Sequence, residues 1–371
     1  MRTGTEEKTP IRVKPDALAR YLKDAFGPDA VLTGVCELGA ASGQGMKEFG
    51  YGKPLCLEFT QDGEAKKAVL SIMRGDKYGH QFYWDRAAIL MFQHAAGAHM
   101  AKHVKPMGLG YFDEDDRLFA VKKPKEFFIV NEMASGYDYY LDLERIRKGG
   151  FETKDEAMAE KLARFLASLH ARKLDDPDLY FRRVRNLIGA SECIMGLADA
   201  YPHPYPLFPP ERFAALEKRA IDWRWKLRGF AGRLSDVHGD FHPWNILVQE
   251  GDGDRDFAVL DRSRGEWGEP ADDVATLSVN YLLFGLYDKP RLAGDFLRLY
   301  TTFWETYLEA SGDPEVLSVI APFYVFRALV IASPQWYPGH PESVRKGLFR
   351  FMENVLEDEV FDYANINKYM E

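Results

Sequence analysis

The sequence predicts an α+β protein of two lobes, a small antiparallel β-sheet followed by a mostly helical half. Three observations predict it. Glycine-punctuated apolar runs fill Ala30 to Leu70, and helical periodicity takes over after Asn131-Glu132-Met133. A loop, His238-Gly239-Asp240-Phe241-His242-Pro243-Trp244-Asn245, then leads into two short apolar runs. These are Ile246-Leu247-Val248 and Phe257-Ala258-Val259-Leu260, the second of which delivers Asp261.

Taken in order, residues 1–13 read as a tail. A short amphipathic helix starts at Pro15-Asp16-Ala17-Leu18, with proline in its first turn. Val31 to Cys36 and Pro54 to Phe59 read as strands. Gln61-Asp62-Gly63-Glu64 is a hairpin turn into a third strand, Lys67 to Arg74. Asp85 to Lys102 reads as a helix, and Leu118–Val121 and Phe127–Val130 as two more strands. The first lobe is thus 1–130, with a hinge at 131–136 and a helical lobe over 137–371. Lys154 to Lys173 is amphipathic, with Ala157, Leu162, Phe165, Leu166 and Leu169 on one side. Residues 174–235 form an insert rich in proline and aromatics, helical from about Glu211 to Leu227. After Pro270 the rest reads as helix.

Composition bounds the function. The 371 residues allow a sizeable core, and 28% charged with 46% apolar residues is ordinary for a soluble globular protein. A net charge of −9 argues against nucleic acid as a partner. Cys36, Cys56 and Cys193 form no CxxC pair and no disulfide framework. The N-terminus is polar, without the apolar stretch of a signal peptide. The most apolar late segment, Ala321 to Pro334, contains Arg327 and is too short to span a bilayer. The expectation is a cytoplasmic protein with no membrane partner; nothing in the sequence speaks to its oligomeric state.

The chemistry concentrates at the loop. If the two apolar runs pair as a hairpin, Asn245 and Asp261 come to one end of the ladder, close to Asp240. Phosphoryl transfer from a nucleotide needs such a set, namely a carboxylate to orient and deprotonate a hydroxyl plus an amide and a carboxylate oxygen for magnesium. Asp240 is the expected catalytic base, and Asn245 and Asp261 the expected metal ligands. Gly-Asp pairs are also common in plain turns. His238 and His242 read as loop-fixing or packing residues. His99 and His103 stand four apart on the expected helix that also carries His94, but no carboxylate or cysteine nearby completes a metal set.

At this point the chain resembles the aminoglycoside phosphotransferase and choline kinase group of the protein-kinase-like fold. The resemblance rests on the His238-Gly239-Asp240…Asn245 loop, Asp261 after the next strand, the Gly268-Glu269-Pro270-Ala271-Asp272-Asp273 segment and the helix end Leu166-Ala167-Ser168-Leu169-His170. It runs from roughly Val31 to Leu283. It implies ATP, with GTP as the alternative nucleotide, magnesium, and a small-molecule hydroxyl acceptor. It also implies that Asp273, or its neighbour Asp272, supports the catalytic loop from behind. Gly39, Ser42 and Gly43, between the first two strands, are small enough for backbone amides to approach phosphates, although the stretch is not a Walker A sequence. Relatives carry a basic residue in the third strand. Here Arg74 is the candidate for that phosphate clamp, Lys67 the alternative, and Asp85 the acidic partner. Glu132 and Met133 in the hinge are expected to offer backbone groups to adenine.

Two departures stand out. No lysine lies inside Val69-Leu70-Ser71-Ile72-Met73, and Asp261 is followed by Arg262-Ser263-Arg264. These arginines are expected either to hold an anionic group or to pair with Glu266 and Glu269. The leading expectation is a small-molecule kinase. The alternative, favoured by the missing strand lysine, is a kinase-like nucleotide-binding module that regulates without turnover.

Overall fold

The computed structural model describes residues 13–37, 54–97, 101–251 and 255–371, and the chain divides into two compact units after Asn131. In the first unit, helix α1 (Pro15–Phe26) has proline in its first turn and buries Ala17, Leu18, Tyr21 and Leu22. That spacing puts the four on one face. Strands β1 (Val31–Glu37), β2 (Leu55–Gln61) and β3 (Glu64–Leu70) form an antiparallel sheet in that order. Asp62 and Gly63, at φ 54° and 78°, make the two-residue turn between β2 and β3. Asp and Gly accept positive φ, and such turns match the twist of a hairpin. Leu22, Ala30 and Phe59 form a small core with Phe26, Leu32 and Ala68 against it, and the Phe26 and Phe59 rings stack at 5.4 Å.

Helix α2 (Tyr83–Gly97) follows, and β4 (Gly110–Phe112) pairs with β5 (Leu118–Ala120). The third strand ends at Leu70, four residues short of Arg74. Its last partner is Leu55, and the residue before that is Pro54, which has no N–H to continue the ladder. Phe127–Val130 is not a strand. It pairs with no described strand, and Phe128, Ile129 and Val130 are 81–89% exposed. Four consecutive apolar residues gave no alternation to tell a buried face from a wet one.

The second unit opens with β6 (Tyr137–Asp138) and α3 (Tyr140–Arg147), then α4 (Thr153–His170). Helix α4 buries Met158, Leu162, Ala163, Leu166 and His170, while Ala157, expected inside, is exposed. The insert is more helical than its prolines suggest, containing α5 (Pro177–Gly189), α6 (Ile194–Ala200) and α7 (Pro210–Leu227). Pro177 and Pro210 sit in first turns, where a missing N–H costs nothing, so these prolines start helices rather than break them.

The chain continues through β7 (Ser235–Asp236), β8 (Ile246–Glu250), β9 (Arg255–Val259) and β10 (Trp267–Gly268). It then forms α8 (Pro270–Leu286), α9 (Gly294–Ser311), α10 (Ala321–Ala332) and α11 (Glu342–Val355). β6, β8 and β9 form one antiparallel sheet with β8 central, and β7 pairs with β10. Helices α8 and α10 are buried almost all round and form the middle of the helical core. Tyr201, Tyr205 and Trp223 of the insert are buried there as well. The Tyr201 hydroxyl donates to the Leu329 carbonyl at 2.7 Å and Trp223 Nε1 to that of Leu356 at 3.2 Å. Among the described residues no helix is long and apolar enough to cross a membrane.

Candidate active site

Strand β7 feeds Val237, His238 and Gly239 into Asp240. Gly239 adopts φ 84°, which lets the chain turn there without strain. From the first turn of α8, the fully buried Asp273 accepts the backbone N–H groups of His238 and Gly239, both at 2.7 Å. His170, at the end of α4, contacts the same carboxylate at 3.1 Å, and its other ring nitrogen meets the Tyr307 hydroxyl at 2.9 Å. Burial alone would raise the Asp273 carboxyl, but His170 and His238 outweigh it and hold it below the ordinary carboxylate value. Asp273, rather than Asp272, is therefore the support behind the loop. His238 also acts as a fixing residue, since its Nδ1 accepts the Asp240 N–H at 3.2 Å.

The Asp240 side chain is 13% exposed and its two oxygens differ. Oδ1 accepts from Arg327 Nη1 at 2.5 Å. Oδ2 has Arg264 Nε at 3.5 Å and His242 Nε2 at 3.8 Å. Burial pushes this carboxyl up, yet Arg327, then Arg264 and His242, overcome it and keep Asp240 ionised more readily than a free aspartate. Burial lowers the His242 imidazole from its ordinary value, against the opposing pull of Asp240. Trp244 stacks on Tyr140 at 5.0 Å and meets Tyr337 edge-on at 6.0 Å.

The next residues include the two expected metal ligands, Asn245 and Asp261. Pro243–Asn245 forms a single 3-10 turn, and Asn245 Nδ2 donates to the Asp240 carbonyl at 3.0 Å. An amide that donates through nitrogen has only its oxygen left to offer a cation. The β8–β9 register pairs Ile246 with Val259, and Leu260 N–H donates to the Asn245 carbonyl at 2.9 Å. Asp261 is therefore one residue from the Asn245 end of the hairpin, exposed, with φ 54°. Positive φ is uncommon outside glycine, and aspartate is among the residues that tolerate it. An amide oxygen and an exposed carboxylate, carried at the same end of one hairpin, are the donor types that suit magnesium, which keeps waters and substrate phosphates as its other ligands. Among the described residues no group of three His, Cys, Asp or Glu side chains is placed for a metal ion.

The remaining candidates fare differently. Gly39, Ser42 and Gly43 lie outside the described residues. Arg74 is exposed and beyond the end of β3, so it is not a strand residue. Lys67 is on β3 and pairs with Glu58 of β2 at 2.6 Å. Asp85 accepts the Phe82 N–H at 3.0 Å, as a residue at a helix start does. Glu132 and Met133 are exposed ahead of β6, Met133 almost completely. A cavity of about 470 Å³ lies beside His170, Lys173, Arg233 and Tyr307, and Asp240 does not line it.

The arginines after Asp261 are not paired as expected. Arg262 engages the Asp236 carboxylate and donates to the carbonyls of Val237, at 2.9 and 2.7 Å, and Glu266, at 3.1 Å. Arg264 lies 3.5 Å from both Asp240 and Glu192. Glu269 is occupied by Arg233 at 2.9 Å and the Tyr180 hydroxyl at 2.9 Å. Neither Arg262 nor Arg264 therefore takes a glutamate side chain from the Glu266–Glu269 segment; Arg262 reaches back to Asp236 and Val237, and Arg264 lies between Asp240 and Glu192.

The residue that sequence reasoning missed is Arg327. Its guanidinium, 5% exposed, also donates to Asp272 Oδ1 through Nε at 2.8 Å and Nη2 at 2.7 Å, and to the Gly239 carbonyl at 2.7 Å. The signal was present, because a lone cation in the apolar run Ala321–Ala332 has to find buried partners.

Asp272 itself carries a pH signature. Burial pushes its carboxyl up to about 6, against the pull of Arg327. The unfolded chain releases this proton near about 4, so between roughly pH 4 and 6 the folded state holds more protons. The stability this group contributes falls as pH rises through that window. Urea unfolding at the two ends of the window should show Asp272→Asn lacking this part of the slope. An unchanged slope would contradict the assignment.

The phosphotransferase enzyme family matches residues 87–311, more than half of the chain. No curated protein matches the sequence. Among solved structures, a glucosamine kinase in complex with glucosamine, ADP and inorganic phosphate is similar at 19% identity and a TM-score of 0.41. That match covers 61% of this chain and 62% of the other, so under two thirds of that relative's length is spanned. An amicoumacin kinase in complex with AMP-PNP and calcium is 14% identical over 90% of this chain and 91% of its own, with a TM-score of 0.39. A choline kinase from Streptococcus pneumoniae is 13% identical over 88% and 94%, with a TM-score of 0.35.

Proposed function

The chain belongs to the phosphotransferase enzyme family, and on that premise we propose that it moves the γ-phosphoryl group of ATP to a hydroxyl of a small molecule. One observation carries the reading. A carboxylate held ionised, Asp240, stands in a loop whose far end, Asn245, is bonded through its backbone to Leu260, the residue before Asp261.

In the proposed reaction the acceptor hydroxyl oxygen forms a bond to the γ-phosphorus while the bond to the β-phosphate oxygen breaks and ADP leaves. The acceptor proton passes to Asp240 Oδ2, the oxygen without a close donor among the described residues. Asp273 keeps the loop rigid while this happens, since both N–H groups ahead of Asp240 end on its carboxylate. Asn245 and Asp261 are the residues that would hold magnesium, which supplies charge neutralisation on the phosphate oxygens when bound. Trp244, Tyr140 and Tyr337 give the acceptor an apolar, aromatic wall. A cytoplasmic location belongs to the same proposal.

The test is magnesium-dependent ATP consumption against a panel of alcohols, amino alcohols, aminoglycosides and sugars. Turnover with at least one acceptor is expected. Asp261→Ala should weaken magnesium–nucleotide binding roughly tenfold or more, and unchanged affinity would remove Asp261 from the metal site. The position of Arg74 beyond β3 favours the second reading, a nucleotide-binding module without turnover. Nucleotide binding with no transfer to any acceptor would support that reading over ours.

A further inference from the structure

We infer that Arg327 is a positioning residue for the reaction, holding Oδ1 of Asp240 so that Oδ2 alone receives the acceptor proton. The inference rests on the proposed role of Asp240 as base and adds to it a residue from a different part of the chain.

Geometry distinguishes the two oxygens. Oδ1 is filled by a 2.5 Å charge-assisted bond from a guanidinium that is itself buried. Among the described residues the polar neighbours of Oδ2 stand at 3.5 and 3.8 Å, longer than an ordinary hydrogen bond, so this oxygen has no short donor. Arg327 does not hold Asp240 by that bond alone. Its Nη2 also ends on the Gly239 carbonyl, so the same planar group fixes the backbone immediately before the base and the side chain of the base.

Arg327 is in turn held by Asp272 on α8 through two bonds to one oxygen. The guanidinium plane is thereby set by a second carboxylate that lies next to Asp273, the support of the loop. The base is thus fixed from two adjacent residues of α8, by Asp273 through the backbone and by Asp272 through Arg327.

Stability does not account for such a residue. Every other side chain of α10 is apolar apart from the Tyr324 hydroxyl, which meets the Ser278 hydroxyl at 2.6 Å. A buried charge in that setting needs desolvation, and well-packed apolar replacements of buried ion pairs are often neutral or stabilising. Placement of the base is what the arginine uniquely provides. Lysine's three donors share one nitrogen and lack the planar fork whose Nε, Nη1 and Nη2 here reach Asp272, Asp240 and the Gly239 carbonyl.

The test uses the full chain with its best acceptor. Arg327→Lys is expected to stay folded, to lose kcat by roughly ten- to a hundredfold, and to keep both the acceptor KM and the magnesium–nucleotide affinity within about threefold. A residue that merely packs would not give that split. Arg327→Ala is expected to lose more and to regain kcat on adding millimolar guanidinium ion but not sodium ion at the same ionic strength. A folded Arg327→Lys with kcat within about twofold of the parent overturns the inference. If the lysine variant does not fold, absence of guanidinium rescue in Arg327→Ala overturns it. Full turnover in Asp240→Ala would instead remove the base assignment on which this inference rests.

Discussion

Asp240→Ala is expected to fold and to lose transfer activity by on the order of 10²- to 10⁴-fold, the range in which positioned acid–base groups contribute. The structure separates the two effects. The loop is held by Asp273 on the N–H groups of His238 and Gly239 and by Asn245 Nδ2 on the Asp240 carbonyl, and none of these bonds uses the Asp240 side chain. Arg327 keeps two bonds to Asp272 and one to the Gly239 carbonyl after the substitution. The change in stability should therefore stay within about 1–2 kcal/mol. Steady-state kinetics and urea unfolding of the same preparation check both halves. A rate within a few-fold of the parent would show that Asp240 takes no part in the chemistry.

Asp273→Ala is expected to do the reverse, costing the fold first. Its carboxylate is fully buried and receives two backbone N–H groups and the His170 ring. Alanine leaves all three donors without an acceptor. Buried unsatisfied groups and broken buried pairs bring the expected loss to about 3–5 kcal/mol. Activity should fall with it, even at temperatures where the variant is folded, because Gly239 loses the contact that aims Asp240. A melting temperature close to the parent's would contradict this role of Asp273 in the loop.

Much of this was legible in the sequence, for identifiable reasons. The β8–β9 hairpin followed from two apolar runs separated by a polar turn, and its register then fixed where Asp261 falls relative to Asn245. The support role of Asp273 came from resemblance, and two 2.7 Å bonds single it out from Asp272. The helical insert was obscured because its prolines read as interruptions, whereas Pro177 and Pro210 begin helices. The Phe127–Val130 run and the strand end at Leu70 depend on neighbouring chain, which local pattern does not encode. The pairing of Arg264 with Asp240 and of Arg327 with Asp240 joins residues 24 and 87 positions apart, a juxtaposition that only the packed helices define. The apolar run around Arg327 announced that this cation has a buried partner without revealing which one.

The central claim, phosphoryl transfer to a small-molecule hydroxyl at the Asp240 loop, is tested most directly by phosphorus NMR of the reaction products. The parent protein and Asp240→Ala are each incubated with ATP, magnesium and the acceptor panel. The expected result is a phosphomonoester signal on an acceptor hydroxyl, appearing with ADP in equal amount for the parent and absent for Asp240→Ala on the same timescale. ATP bound but unconsumed with every acceptor, or an equal phosphomonoester signal from both proteins, would contradict it.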